Sequence, residues 1–220
     1  MGDHLAVWCE VRARVPWDQV RHGLGWPAGP VSGRRDSIAH RITTIELSRD
    51  PVRARRLLRA HELMCKDAAD GRALDFDLLM SWQRAVLDVA ETPFRGGPAF
   101  AKGGRERYGL APDTPARFAR CLAASQDREL PVAARAARVY LDVCFFHPFS
   151  DGNARSALLA SAFVMARDGI VLDEVGPLAQ AHRTADDVEG AAGLANLLVV
   201  LIEATQRRCS RDSHAYTSRT

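Results

Sequence analysis

Within nine consecutive residues, His147-Pro148-Phe149-Ser150-Asp151-Gly152-Asn153-Ala154-Arg155, the chain gathers an imidazole, a carboxylate, a glycine, an amide and a guanidinium. His147 can take up a proton near neutral pH, as a general base must. Asp151 offers the hard oxygen that Mg²⁺ prefers when it is shared with a nucleotide. Gly152 permits a close backbone approach or a positive φ, and a helix opening at Asn153 would turn free N–H groups toward an anion. Arg155 falls in the first turn of that helix, where the macrodipole disfavours a cation unless a phosphate is bound. Each residue also has a plain structural use: Asp151 or Asn153 can cap a helix, and His147 can complement a helix C-terminus. Their combination in fixed order points to phosphate chemistry.

Two apolar segments must hold this loop. Val132 to Phe146 reads as a buried helix, with Val139, Tyr140, Val143, Cys144 and Phe146 at helical spacing and alanines between them. Pro148 ends it. Ala157 to Ala166 is apolar on nearly every face, which suits a helix at the centre of a domain.

The nine residues resemble the Fic family signature, H-P-F-x-[D/E]-G-N-[G/K]-R, and depart from it only at Ala154. The resemblance implies an all-α, Fic-like helical bundle with a short β-hairpin flap and the motif loop between its two central helices. It implies transfer of AMP from ATP to a hydroxyl, on a protein target in most members, with Mg²⁺ as cofactor. By position, His147 deprotonates the hydroxyl and Asp151 holds Mg²⁺. Gly152 and Asn153 cradle the α-phosphate, Arg155 holds the phosphates beyond it, and Phe149 anchors the loop. Such chemistry rests on positioning and charge neutralisation, so few groups suffice.

Two departures leave the transferred group open. Many AMP-transferring members carry a second Arg three residues after the first, and here that position is Leu158. The similar Doc branch also lacks it and acts as a protein kinase with the nucleotide reversed, yet its Lys before the motif Arg is Ala154 here. The same fold would also suit a small-molecule acceptor, or a catalytically silent binding module. Ile42-Thr43-Thr44-Ile45-Glu46-Leu47 is similar to the family's inhibitory motif, [S/T]-x-x-x-E-[G/N], but departs at Ile42 and Leu47, and its Arg partner is missing. Glu46 is therefore expected on an ordinary helix face, and a separate inhibitory antitoxin is a partner to consider.

Composition bounds the rest. At 220 residues and 47% hydrophobic the chain can bury one good core. A net charge of +3, with arginines scattered among acids, gives no nucleic-acid stripe. Cys9, Cys65, Cys121, Cys144 and Cys209 are widely spaced without a C-x-x-C pair, which argues for reduced thiols in cytoplasm and against a disulfide framework or zinc cluster. Met1 to Glu10 lacks a signal-peptide core, and Leu194 to Ile202 is too short to span a membrane.

The expected organisation is a helical extension over 1–50, a Fic domain over 51–206 and a solvated basic tail over 207–220 with Arg207, Arg208 and Arg211. Helices are expected within Leu5–Val20, Asp36–Leu47, Val52–Lys66, Asp75–Val89 and Asp186–Gln206, and from Thr114-Pro115 onward, with Val171 to Pro177 as a connection. Gly23 to Pro30 is a loop by its Gly and Pro density, with Trp17 and Trp26 as packing residues. His61-Glu62 lacks the second His of an H-E-x-x-H site, since position 65 is Cys65, and is read as packing. Thr92 to Pro115 turns rich in Gly, Pro and Arg and frames a hairpin or long loop. Its place matches the family's flap, which docks targets by strand addition. Arg95, Lys102, Arg105 and Arg107 could assist with phosphates but are not expected in catalysis.

Overall fold

A computed structural model describes residues 2–20, 29–181 and 183–217. The elements run α1 (His4–Arg14), a 3₁₀ turn (Trp17–Gln19), β1 (Val31–Ser32), α2 (Ser37–Arg41), a π-helical turn (Ile42–Glu46), α3 (Leu47–Arg49), α4 (Pro51–Ala69) and α5 (Phe76–Leu87). They continue through β2 (Ala99–Ala101), β3 (Glu106–Tyr108), α6 (Thr114–Ala124), α7 (Val132–Phe146), α8 (Asn153–Arg167), β4 (Ile170–Val171), α9 (Gly176–Gln180) and α10 (Val188–Thr217). The fold is all-α, with β2 and β3 as a short antiparallel hairpin.

Local chemistry starts most of these helices where the sequence leads one to expect. Asp50 accepts from the amides of Val52 and Arg53, and Pro51 occupies the first turn, where a missing N–H costs nothing. Asp36 and Asp75 cap α2 and α5 in the same manner. The central pair, α7 and α8, packs as a helical hairpin, with α10, α6 and α1 against α7 and with α4 and α5 against α8. Ala133, Ala134, Ala136 and Ala137 of α7 are wholly buried, so neighbouring helices approach closely, and Phe146, Phe163 and Trp82 fill the space between them. Each such side chain contributes about 1.5–3 kcal/mol by leaving water.

Polar contacts fix the outer pieces. Asp142, buried on α7, receives Trp8 Nε1 at 3.0 Å and both Arg12 Nε at 2.7 Å and a second guanidinium nitrogen at 3.0 Å, which docks α1 on the core. Trp17 is buried as expected and donates to the Arg12 carbonyl. Trp26 and the Gly23 to Ala28 part of the expected loop lie outside the described residues.

Three expectations need correction. The helix after Asp36 is interrupted by the π-helical turn, in which Thr43 and Thr44 hydroxyls donate to carbonyls one turn earlier. The Val171 to Pro177 connection holds structure of its own, because β4 pairs in parallel with β1 (Val31 opposite Ile170) before α9 begins. Two-residue strands carry no periodicity that a sequence pattern could reveal. The last helix runs past Gln206 to Thr217, and Arg208, expected in a solvated tail, forks onto Asp173. Over Val188–Arg211 it is long and apolar enough to cross a membrane, yet Leu194, Ala195, Leu198 and Ile202 are buried in the core.

Candidate functional site

The motif loop begins where α7 is forced to stop. His147 adopts a left-handed conformation (φ 49°, ψ 54°) while its N–H still bonds the Val143 carbonyl, and Pro148 then bars any further helical turn. A left-handed non-glycine residue carries strain of order 1–3 kcal/mol, which the surroundings must hold in place. Its Nδ1 lies 2.9 Å from the Cys144 carbonyl. A carbonyl only accepts, so Nδ1 bears a proton, and in the neutral ring Nε2 keeps its lone pair. The ring stacks on Tyr108 of the flap, with centroids 4.5 Å apart and planes at 8°. Burial holds the His147 pKa below the usual 6.5, outweighing the Cys144 carbonyl that raises it.

Past His147 the loop is closed from within. Phe149 is fully buried and stacks on Phe76 at 5.6 Å, the anchoring position expected of it. The Asn153 side chain bonds both the Phe149 N–H (2.9 Å) and the Phe149 carbonyl (2.8 Å). Its carboxamide is therefore occupied in shaping the loop, and what it has to offer an α-phosphate is its backbone N–H. Gly152 is left-handed (φ 76°) and opens α8 without a side-chain cap. A Cβ there would lie 2.6 Å from Gln83 Nε2.

Asp151 and Arg155 face the far side of the loop. One Asp151 oxygen accepts from the Gly152 N–H at 2.6 Å, and the other lies 3.4 Å from Arg155 and 3.7 Å from Arg53. Arg155, Arg53, Arg49, Glu46 and Asp50 line a cleft of about 360 Å³, with Ala54 and Leu57 as its apolar wall. Burial, and then Arg53 beside it, lower the Arg155 pKa. On the His147 side, a second hollow of about 210 Å³ is lined by His147, Ala154, Tyr108, Glu106, Lys102 and Arg183, among others. The loop thus presents an imidazole to one chamber and guanidinium groups to another.

Several of these residues escape sequence reasoning. Arg95 is buried, its guanidinium donating to the carbonyls of His147 (2.9 Å), Phe146 (3.3 Å), Gly109 (2.5 Å) and Gly97, and its own N–H bonds the Pro148 carbonyl. It joins the flap to the motif loop and is spent on carbonyls. Gln83, fully buried on α5, donates to the Asp151 carbonyl and accepts from the Ser156 hydroxyl, each at 2.5 Å. Arg183 bonds the Tyr140 hydroxyl and lies over its ring at 4.8 Å. Arg53 reads in the sequence as one of a row of exposed arginines on α4. The other flap cations are engaged locally: Lys102 pairs with Glu106 at 2.8 Å, Arg105 donates to the Lys102 carbonyl, and Arg107 lies 3.8 Å from Asp3. Glu46, expected on an ordinary helix face, stands on the cleft wall 3.4 Å from Arg41.

The sequence profile of the Fic/DOC family matches residues 52–165. No curated protein sequence matches the chain. Among solved structures, a Fic domain containing signaling protein from Bacteroides thetaiotaomicron VPI-5482 is similar at 22% identity, covering 70% of this chain and 69% of that one with a TM-score of 0.51. IbpAFic2 covalently tethered to Cdc42 is similar at 13% identity over 89% of this chain and 69% of that one, with a TM-score of 0.56. Fic-1 (aa134 - 508) from C. elegans gives 14% identity, 96% and 72% coverage and a TM-score of 0.54. At these identities the likeness is one of fold.

Proposed function

This chain belongs to the Fic/DOC family, and on that premise we propose that it transfers AMP from Mg²⁺-bound ATP to a hydroxyl group, with a protein as the acceptor. The observation that carries the reading is the state of His147. With Nδ1 committed to the Cys144 carbonyl and the pKa lowered by burial, Nε2 is a neutral base at physiological pH. It fronts a hollow walled by the flap, into which a hydroxyl can enter.

Arg155 and Arg53 supply positive charge for the polyphosphate from the adjoining cleft, and the start of α8 has no side-chain cap, which leaves its first backbone N–H groups for an anion. A Mg²⁺ ion fits Asp151 on one condition. Its outward oxygen is flanked by two guanidinium groups, so a lone cation meets repulsion there. Phosphates that draw Arg155 and Arg53 toward themselves free that oxygen, so metal and nucleotide enter together. Bound in that way, Mg²⁺ would neutralise charge on the phosphate oxygens. In the reaction, the acceptor oxygen bonds the α-phosphorus, its proton passes to His147 Nε2, and pyrophosphate leaves.

A protein acceptor is supported by two features. The flap presents Phe100, more than half exposed, on β2. IbpAFic2, a protein of similar fold, is held covalently to Cdc42. A second reading, transfer of the γ-phosphoryl group, is favoured by Leu158, which faces an apolar hollow and leaves that position without a cation. ATP labelled on the α- or the γ-phosphate, incubated with Mg²⁺, protein and cell extract, separates the two. Acceptor labelling from the α-position supports adenylylation. Labelling from the γ-position alone replaces it with a kinase, and nucleotide binding without transfer replaces both with a silent module.

A further inference from the structure

Away from the motif loop, Asp36, His61 and Cys65 converge from two elements. His61 and Cys65 are four residues apart on α4 and so share one face of that helix. Asp36 precedes α2, where Oδ1 is taken up in capping the amides of Ile38 (2.9 Å) and Ala39 (3.1 Å). Its other oxygen, Oδ2, lies 3.1 Å from His61 Nε2, and Cys65 Sγ lies 3.6 Å from that same nitrogen. One donor atom from each residue falls within 4.8 Å of the other two. A tetrahedral Zn²⁺ with Zn–N and Zn–O near 2.0 Å and Zn–S near 2.3 Å has donor-to-donor edges of about 3.3–3.6 Å. Two of the observed spacings are close to that already.

An ion pair accounts for His61 and Asp36 without help. It does not call for a thiol on the same nitrogen, nor for the small hollow of about 30 Å³ that the three residues border. That space is large enough for a water, and apart from Ser37 its remaining wall is apolar, with Met64, Leu158, Ala162 and Met165. We infer that Asp36, His61 and Cys65 form a mononuclear Zn²⁺ site, with water in the hollow as the fourth ligand. The wide spacing of the cysteines excludes a thiolate-rich cluster but not one thiolate in a mixed set, whose carboxylate comes from another element. Thiolate and imidazole together select zinc over magnesium or calcium. Binding releases the Cys65 thiol proton and any second proton on the His61 ring. Bound metal ties the segment leading to Glu46 onto α4, the helix that carries Arg53.

The test uses the full chain stripped with a chelator and then titrated with Co²⁺, following the thiolate-to-metal charge-transfer absorption. The expected result is one Co²⁺ per chain, displaced by Zn²⁺ but not by Mg²⁺. Cys65→Ser should abolish the band, while Cys209→Ser should keep it. Asp36→Asn retains a capping side chain, so the helix is preserved, and it should weaken binding by at least about tenfold. Helical circular dichroism reports that the variants are folded. Absence of a charge-transfer band in the wild-type chain, or a band that survives in Cys65→Ser, overturns the site.

Discussion

The imidazole of His147 lies flat against the phenol ring of Tyr108, with planes at 8° and centroids 4.5 Å apart. Tyr108 in turn donates to Glu106 at 2.6 Å, and burial, followed by that carboxylate, raises the phenol pKa. A flap residue thereby sets the attitude of the motif histidine. A stacked pair is worth about 0.5–1.5 kcal/mol, so Tyr108→Ala should slow single-turnover transfer by about tenfold. Tyr108→Phe keeps the ring and should stay within about threefold of wild type. Equal losses in the two variants would assign the effect to the hydroxyl rather than to the stack.

His147→Ala should abolish transfer while nucleotide binding, followed by calorimetry, persists. Transfer at the wild-type rate in that variant removes the imidazole from the reaction.

The pH dependence follows from the direction of the His147 shift. A base with a lowered pKa gives up its proton earlier as pH rises, so most of the population is already neutral at pH 6.5. The acid limb of the transfer rate should therefore fall below pH 6.5. The same shift means that the unfolded chain binds this proton more tightly than the folded one. Stability should decline as pH drops through 6.5 toward the lowered value, and less steeply in His147→Ala. An acid limb centred above 6.5 contradicts both statements.

Arg155→Ala should weaken ATP binding by about 10- to 100-fold, the scale of lost hydrogen bonds to a charged group. Arg53, more exposed and farther from Asp151, should cost less than tenfold when changed to Ala. In either variant Mg²⁺ should bind more readily without nucleotide, because a guanidinium has left the carboxylate. Calorimetric titration of Mg²⁺ alone measures this, and unchanged metal affinity contradicts the proposed competition.

Two changes in the packing beneath the loop should act through the fold. Gly152→Ala places a Cβ against Gln83 in a left-handed backbone and should lower unfolding free energy by at least about 1–2 kcal/mol in denaturant titration. Gln83→Leu leaves the Asp151 carbonyl and the Ser156 hydroxyl without their partner and should cost about 1–3 kcal/mol. Full stability in both variants would mean that the loop does not depend on α5.

What the sequence discloses here is mostly local. Asp36, Asp50 and Asp75 announce helix starts because a cap acts on amides two or three residues away. His147 to Arg155 is legible because the loop is built from consecutive residues, and Val132–Phe146 because its apolar repeat spans four turns. Arg95 resembles any loop arginine until the carbonyls of His147 and Gly109 are seen around it. Gln83 and Arg183 reach the site from positions far away in the chain, and no spacing rule connects them to it. Glu46 is the last residue of a π-helical turn, which shifts the face that a regular 3.6-residue count assigns to it and sets it on the cleft wall.

Asp3 caps α1 and, with the same oxygen, accepts from the Gly109 N–H at 2.9 Å, one residue beyond β3. The opening residues are thus stitched to the strand whose last ring lies on the histidine. A purification handle or fusion partner joined ahead of Asp3 can tug on that stitch, so assays should compare a tag at each end before low turnover is blamed on the acceptor.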